Sequence, residues 1–307
     1  MISTDWHVRG CVSAQELREV VDLLDRAFDN TPREYFERHV LHDATLSPED
    51  TRVVVREGKI VSSVQIFPRT MWVENRKIRF GGIGNVGTDP RARKSGFAAL
   101  LMEDALQLMR ARGYPLSVLA TTINPYYEKF GYRTVVRAVL TFTEIPCVDN
   151  ARSFDPAHDL EEVMRIYEQF NAGSIGPEVR DEAYWRAQFA FLGNETFLVA
   201  EEGGRLMGYM RAGYEKKGFY VREFAALRNE PRVFADLLGA LRSRIPGVPV
   251  KFFATERQKA RLELRLPYTV ADDTDLMIAV LDEGYRELAD TILLKRNAMT
   301  YWLTDFF

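Results

Sequence analysis

The sequence predicts an α/β protein made of two tandem domains of one fold. Each domain is expected to be a mixed, mostly antiparallel sheet flanked by helices. Three observations predict it. Strand-type runs come as two meanders, Thr51–Thr88 and Glu195–Leu227. An amphipathic helix precedes each meander. After each, the order helix, strand, short helix, strand returns, so the repeat lies in element order and not in residue identity. A length of 307 residues suits two domains. The expected boundaries are 1–148 and 149–283, with 284–307 a C-terminal helix and aromatic tail docking on the body.

The elements follow in order. Ser13–Asp29 places Leu17, Val20, Val21, Leu24 and Phe28 at helical spacing, and Ser13 with Glu16 reads as a capping box. "REYFERHVLHD" is a second helix or an irregular arm. Glu57-Gly58 and Glu74-Asn75 are the turns of the first meander. Ser95–Arg112 is helical, "PLSVLAT" a short buried strand, and "PYYEKFGY" a short helix stopped by Gly131. "RTVVRAVLTFTEI" reads as one long strand, and "PCVDNARSFDP" as a linker. In the second half, "DLEEVMRIYEQFNA" is an amphipathic helix. Gly203-Gly204 and Lys217-Gly218 turn the meander. "EPRVFADLLGALRSR", "VPVKFFAT", "ERQKARLELRL" and "DLMIAVLD" read as helix, strand, helix and strand.

Bulk composition excludes several classes. Charged residues are 28% and the net charge is −3, which favours neither nucleic acid nor an anionic membrane as partner. Two cysteines, Cys11 and Cys147, support neither a disulfide scaffold nor a paired-cysteine zinc site. With no apolar signal core and no apolar run of membrane length, a cytoplasmic protein is expected.

The chemistry concentrates in "VGTDPRARKSGFAALLMEDAL", Val86–Leu106. A strand end passes through a basic turn into a helix. The first N–H groups of a helix lack intrahelical partners and form an anion site. Gly96 and Ala98 let a phosphate approach the main chain, and Arg91, Arg93 and Lys94 add charge. The physical reading is a diphosphate cradle, against the plainer one of a basic turn before a surface helix.

Two motifs in order resemble the GCN5-related N-acetyltransferase (GNAT) superfamily. Arg93, Gly96 and Ala98 match its Arg/Gln-x-x-Gly-x-Gly/Ala loop, with Pro90 ahead of it. Asn124, Tyr127, Gly131 and Tyr132 match its Asn…Tyr-x-x-x-Gly-aromatic motif. The resemblance covers Ser13 to about Ile145. It implies an N-acetyltransferase that uses acetyl-CoA or a related acyl-CoA as co-substrate, with a small-molecule or peptide amine as acceptor. The main chain at Val86, Gly87 and Thr88 would hold the thioester and pantetheine arm. The amides of Arg93, Lys94, Ser95, Gly96, Phe97 and Ala98 would hold the diphosphate, and Asn124 would lie near the pantetheine. Tyr127 would be the general acid, with Tyr126 a competitor in a packing position.

The general base stays open on sequence. Glu34, Glu37 and Asp305 are candidates without diagnostic spacing. His39 and His42 could form a metal pair, but no third ligand is visible, and no metal is expected. The two-copy layout resembles the Eis-like acetyltransferases, whose chains end in an apolar residue with its α-carboxylate as base. That resemblance extends the role to Phe307. This sequence departs from the pattern: the roughly 25 residues after Asp282 cannot encode the sterol-carrier-like domain of those proteins. The second copy has Pro231-Arg232-Val233-Phe234 where the glycine turn should stand, so it is expected to bind no CoA. The alternatives are a non-catalytic acyl-CoA-binding regulatory module and a tRNA-dependent aminoacyl transferase. A mycothiol synthase-like layout, with a catalytic C-terminal copy, disagrees with where the motifs lie. Acceptor identity and oligomeric state, including a homo-oligomer, are not legible.

Overall fold

The computed structural model describes residues 6–148, 150–189, 195–227, 232–262 and 264–307. The first half runs β1 (Trp6–Gly10), α1 (Ala14–Ala27), α2 (Arg33–Leu41), β2 (Thr51–Arg56), β3 (Lys59–Val73), β4 (Arg76–Thr88), α3 (Phe97–Ala111), β5 (Leu116–Ala120), α4 (Asn124–Glu128), β6 (Tyr132–Thr134) and β7 (Arg137–Phe142). The second runs β8 (Ala151–Ser153), α5 (Pro156–Asn171), β9 (Ile175–Glu178), α6 (Glu182–Phe189), β10 (Thr196–Glu202), β11 (Arg205–Glu215), β12 (Gly218–Ala226), α7 (Arg232–Arg244), β13 (Val250–Phe253), α8 (Glu256–Leu262), β14 (Thr269–Asp273) and β15 (Leu276–Val280). Helix α9 (Arg286–Leu294) and the tail follow.

Local chemistry explains most of these elements. Ser13 caps α1 by accepting from the Glu16 amide at 3.2 Å. The Glu16 carboxylate takes the Val12 amide and Arg9 in place of the reciprocal capping-box bond. Glu57 and Gly58 both have positive φ, 51° and 73°, as a tight hairpin turn requires. In β2, Val53 and Val55 pack with α1 and α2, while Val54 faces the α3 side, the two-residue alternation of a sheet covered on both faces.

The two sheets correct the reading of "RTVVRAVLTFTEI". It breaks after Thr134, and its parts enter different sheets. The first sheet has the order β1-β2-β3-β4-β5-β15-β6, with β9 pairing β3. The second has β14-β7-β13-β12-β11-β10-β8. Strand β15, from the end of the second half, lies antiparallel between β5 and β6. Strand β7, from the first half, lies antiparallel between β13 and β14. The halves exchange a strand reciprocally, so 148/149 divides the sequence but not the sheets. Strands β1 and β9 and helix α6, absent from the sequence reading, join the first sheet's edge, pair with β3, and pack between the halves.

The tail docks against the first sheet. Tyr301 and Phe307 are buried with Phe67, Phe80 and Val118 on the face opposite α3. Deeper in, the Arg180 guanidinium is fully enclosed, bridged to Glu223 at 2.6 Å and to Asp305 at 2.7 Å. Thr304 bonds the same Glu223. Arg69 of β3 pairs with Asp43 and, at 3.3 Å, with Glu178. Tail, second half and first sheet are thus tied by one buried set of charges.

Candidate active site

The site begins where two parallel strands part. Strand β4 pairs with β5 from Phe80↔Leu116 to Ile83↔Leu119 and then continues to Thr88. Residues Gly84–Thr88 are left on the side away from β3 without a β5 partner. A bulge marks the point. The β3–β4 register shifts between Ser63 and Gln65, and Asn85 takes φ 50°. Its side chain donates to Gln65 Oε1 at 2.6 Å, and its carbonyl accepts from Ser63 Oγ at 3.3 Å. A bulge inserts a residue and reverses the alternation beyond it. Before it, a methyl group added at Gly81 would strike Met109 of α3; after it, one at Gly87 would stand 2.6 Å from Leu24 of α1. Gly87 therefore has a packing reason to be glycine. Val86 is partly buried, and the Thr88 hydroxyl lies 2.8 Å from Ser62 Oγ.

The loop beyond β4 is built for close main-chain approach. Asp89 accepts from the Arg91 amide at 2.9 Å and opens a short 3₁₀ turn, Pro90–Ala92. Lys94 and Gly96 both adopt left-handed backbone, φ 65° and 79°. Left-handed residues in a tight turn can aim neighbouring N–H groups into one concavity, the geometry of an anion-binding nest. Gly96 is the N-cap of α3, and nothing lies within 4 Å of where its Cβ would be. Arg91, Arg93, Lys94 and Ser95 are exposed, and Arg93 donates to the Ala27 carbonyl at 2.9 Å, tying the loop to α1. Phe97 is buried edge-on against Trp6, so only its main chain faces the loop, and Ala98 is half-buried.

Helix α4 supplies the tyrosine. Tyr127 is buried, its ring 5.0 Å from Tyr126 and 6.3 Å from Tyr132. Burial, with a lesser contribution from Tyr126, pushes its phenol up to about 12. Tyr132 is held by Ser117 Oγ at 2.7 Å, which itself bonds the Gly81 carbonyl. Both N–H groups of Asn124 go to protein acceptors, Thr134 Oγ1 and the Thr274 carbonyl, each at 2.8 Å. Asn124 therefore clamps α4 between the two halves and leaves no amide N–H for pantetheine.

Phe307 reaches the same strand from the opposite face. Its ring stacks on Phe67 with centroids 4.8 Å apart. A methyl group at Gly82 would overlap that ring, and one at Gly84 would stand 3.2 Å from the Phe307 main-chain carbonyl carbon and oxygen. The glycines of "GGIGNVG" were the available signal for this approach, since glycine inside a strand marks a bulge or a close neighbour. His39 is buried beside Phe67, with Nδ1 2.7 Å from the Tyr35 carbonyl, and burial lowers its pKa to about 4. Glu34 and Glu37 lie on α2, Glu37 bonded to Arg33; Asp305 is committed to Arg180. In the second half, Val233 and Phe234 are buried in that half's own core, and Pro231 lies outside the described residues.

Residues 11–135 match the family model for the acetyltransferase (GNAT) domain. No curated protein sequence matches the chain. Solved structures share its fold. A probable N-acyltransferase from Enterococcus faecalis V583 is 20% identical with a TM-score of 0.71, over 90% of this chain and 73% of that one. A GCN5-related N-acetyltransferase from Anabaena variabilis is 20% identical with a TM-score of 0.69, over 91% and 73%. Eis1 from Mycobacterium abscessus is 16% identical with a TM-score of 0.66, over 92% and 75%. With the strand splay and the left-handed loop in agreement, the match marks residues 11–135 as a GNAT acetyltransferase domain, and the solved structures share the fold of the chain around it.

Proposed function

We propose that the chain transfers an acetyl group from acetyl-CoA to a primary amine by direct attack in its first sheet. The observation that carries this reading is the open β4 edge after Ile83, running into a loop left-handed at Lys94 and Gly96. The residues present fit the ligand. Arg91, Arg93 and Lys94 stand exposed around the main chain of 93–98, as a diphosphate requires. Val86, Gly87 and Thr88 offer the main chain that an amide-bearing arm needs. Bound there, the acyl-CoA would supply an activated thioester.

The chain's own residues then divide the proton work. A phenol held near 12 stays protonated at neutral pH, so Tyr127 can donate to the leaving sulfur and never competes as a base. The Phe307 carboxyl group beside Gly84 is the group we assign as base for the amine. On this reading the two act from opposite faces of the sheet, since Tyr127 packs with the α3-side core and Phe307 with the tail-side core. The second half serves as a wall and an anchor: Arg180 holds Asp305, two residues before Phe307.

Thiol release from acetyl-CoA across amines of several classes tests the activity. Tyr127→Phe is expected to cut turnover about 100-fold or more with CoA affinity kept. Adding one glycine after Phe307 is expected to do the same. Unchanged turnover in either variant would remove that residue from the mechanism.

A further inference from the structure

A cavity opens between the halves, one residue from Phe307. Arg38, His39 and Asp43 line it from the first half, Tyr184 and Gln188 from the second, and Phe306 from the tail. Its enclosed volume is about 30 Å³, room for about two waters, and its mouth opens to solvent. A hydrogen-bond chain links its floor to the splay: the His39 carbonyl accepts from Gln65, and Gln65 accepts from Asn85 at the bulge.

Several polar groups of this cavity are engaged by protein. Asp43 is bound by Arg69 and Thr45. Gln188 accepts from Arg211 at 2.6 Å and donates to the Thr304 carbonyl at 3.1 Å. The Tyr184 hydroxyl donates to Glu178 at 3.1 Å. Arg38 is partly buried, yet among the described residues no carboxylate stands in ion-pair distance of its guanidinium. Two carboxylates close enough to feel its charge are already paired. Glu195 carries Arg211 at 2.7 Å and Arg222 at 3.6 Å, and Glu215 carries Arg222 at 2.7 Å. A shielded guanidinium without an anion is costly, and its planar fork matches a carboxylate.

Resting on the acyl-transfer reading, we infer that the acceptor is a small amine that also carries a carboxylate, with that carboxylate on Arg38 and its amine at the bulge beside Phe307.

Matched acceptors test the inference on the full-length protein: lysine against 1,5-diaminopentane, and 4-aminobutanoate against butylamine, each followed by thiol release. A charge-assisted bond gained by one member of a pair predicts a kcat/KM preference of about 10-fold or more for the carboxylate-bearing acceptor. Arg38→Met is expected to close that gap, chiefly through KM, and Arg38→Lys to restore part of it. CoA binding by calorimetry serves as the control for folding. Equal use of both members by the wild-type protein would overturn the inference, as would an Arg38→Met variant that lowers both by one factor. Absence of turnover on every amine would overturn the acyl-transfer reading, and the inference with it.

Discussion

Gly82→Ala probes the contact on which the tail's placement depends. A methyl group there meets three atoms of the Phe307 ring, the third-nearest at 2.7 Å. Real carbon contacts do not come that close, so either the ring leaves or the strand moves. If the ring leaves, its burial, about 1.5–3 kcal/mol, is lost. Its stack on Phe67 adds roughly 0.5–1.5 kcal/mol. If it stays, overpacking costs about 1–3 kcal/mol. Both routes predict a loss of about 1–4 kcal/mol in urea unfolding. The methyl should be nearly harmless once the ring is gone. In a Phe307→Ala background the same substitution is expected to cost little, a coupling of about 1 kcal/mol or more. Displacing the ring also carries the terminal carboxyl away from Gly84, so turnover should fall with CoA affinity kept. Additive stabilities together with normal turnover would refute the reasoning.

Two further outcomes follow from the loop and the buried charges. Gly96→Ala forces an L-residue into left-handed backbone at roughly 1–2 kcal/mol, and its methyl meets nothing in the protein. A modest fall in Tm is expected, with CoA affinity in calorimetry falling about 10-fold or more because that methyl stands where a phosphate must approach; undiminished affinity would exclude the cradle. Glu178 is pushed well above the usual carboxylate range by burial and then by Asp305. A raised native pKa gives stability that is full below the unfolded value and is lost as pH rises through the native one. That contribution should fade as pH rises above the usual carboxylate range, so the Tm difference between wild type and Glu178→Gln should change steadily with pH. Asp43 and Glu223, shifted the other way, lose their contribution only at low pH, and His39, held down to about 4, gives both proteins the same opposite slope below its usual range. Parallel profiles for the two proteins would refute it.

Much of the fold was legible because it is local. Alternation with glycine turns marks β2–β4 and β10–β12, and Gly96 marks the loop through the backbone it alone adopts without strain. The strand exchange was not legible. "RAVLTF" and "LMIAV" present the same apolar alternation whichever sheet takes them, and pairing across more than a hundred residues leaves no local trace. Arg69, Glu178, Arg180, Glu223 and Asp305 look like ordinary surface charges, since their neighbourhood exists only after both halves and the tail meet. Arg38 was likewise one charge on an amphipathic arm. The motif gave no sign that both amide N–H groups of Asn124 would join α4 to Thr134 and to the Thr274 carbonyl of the second half.

The exchanged strands also set a timetable for synthesis. When Thr134 has left the ribosome, β5 and β6 have nothing between them, and the strand that belongs there begins at Leu276. At about 5–20 residues per second, the nascent chain carries two unfilled sheet edges for roughly 7–30 seconds. Strand β7 meanwhile waits as an apolar segment for a sheet not yet made. Neither half can finish early, so the two sheets close in a single late step, and unpaired edges make the interval before it the period of greatest exposure to aggregation.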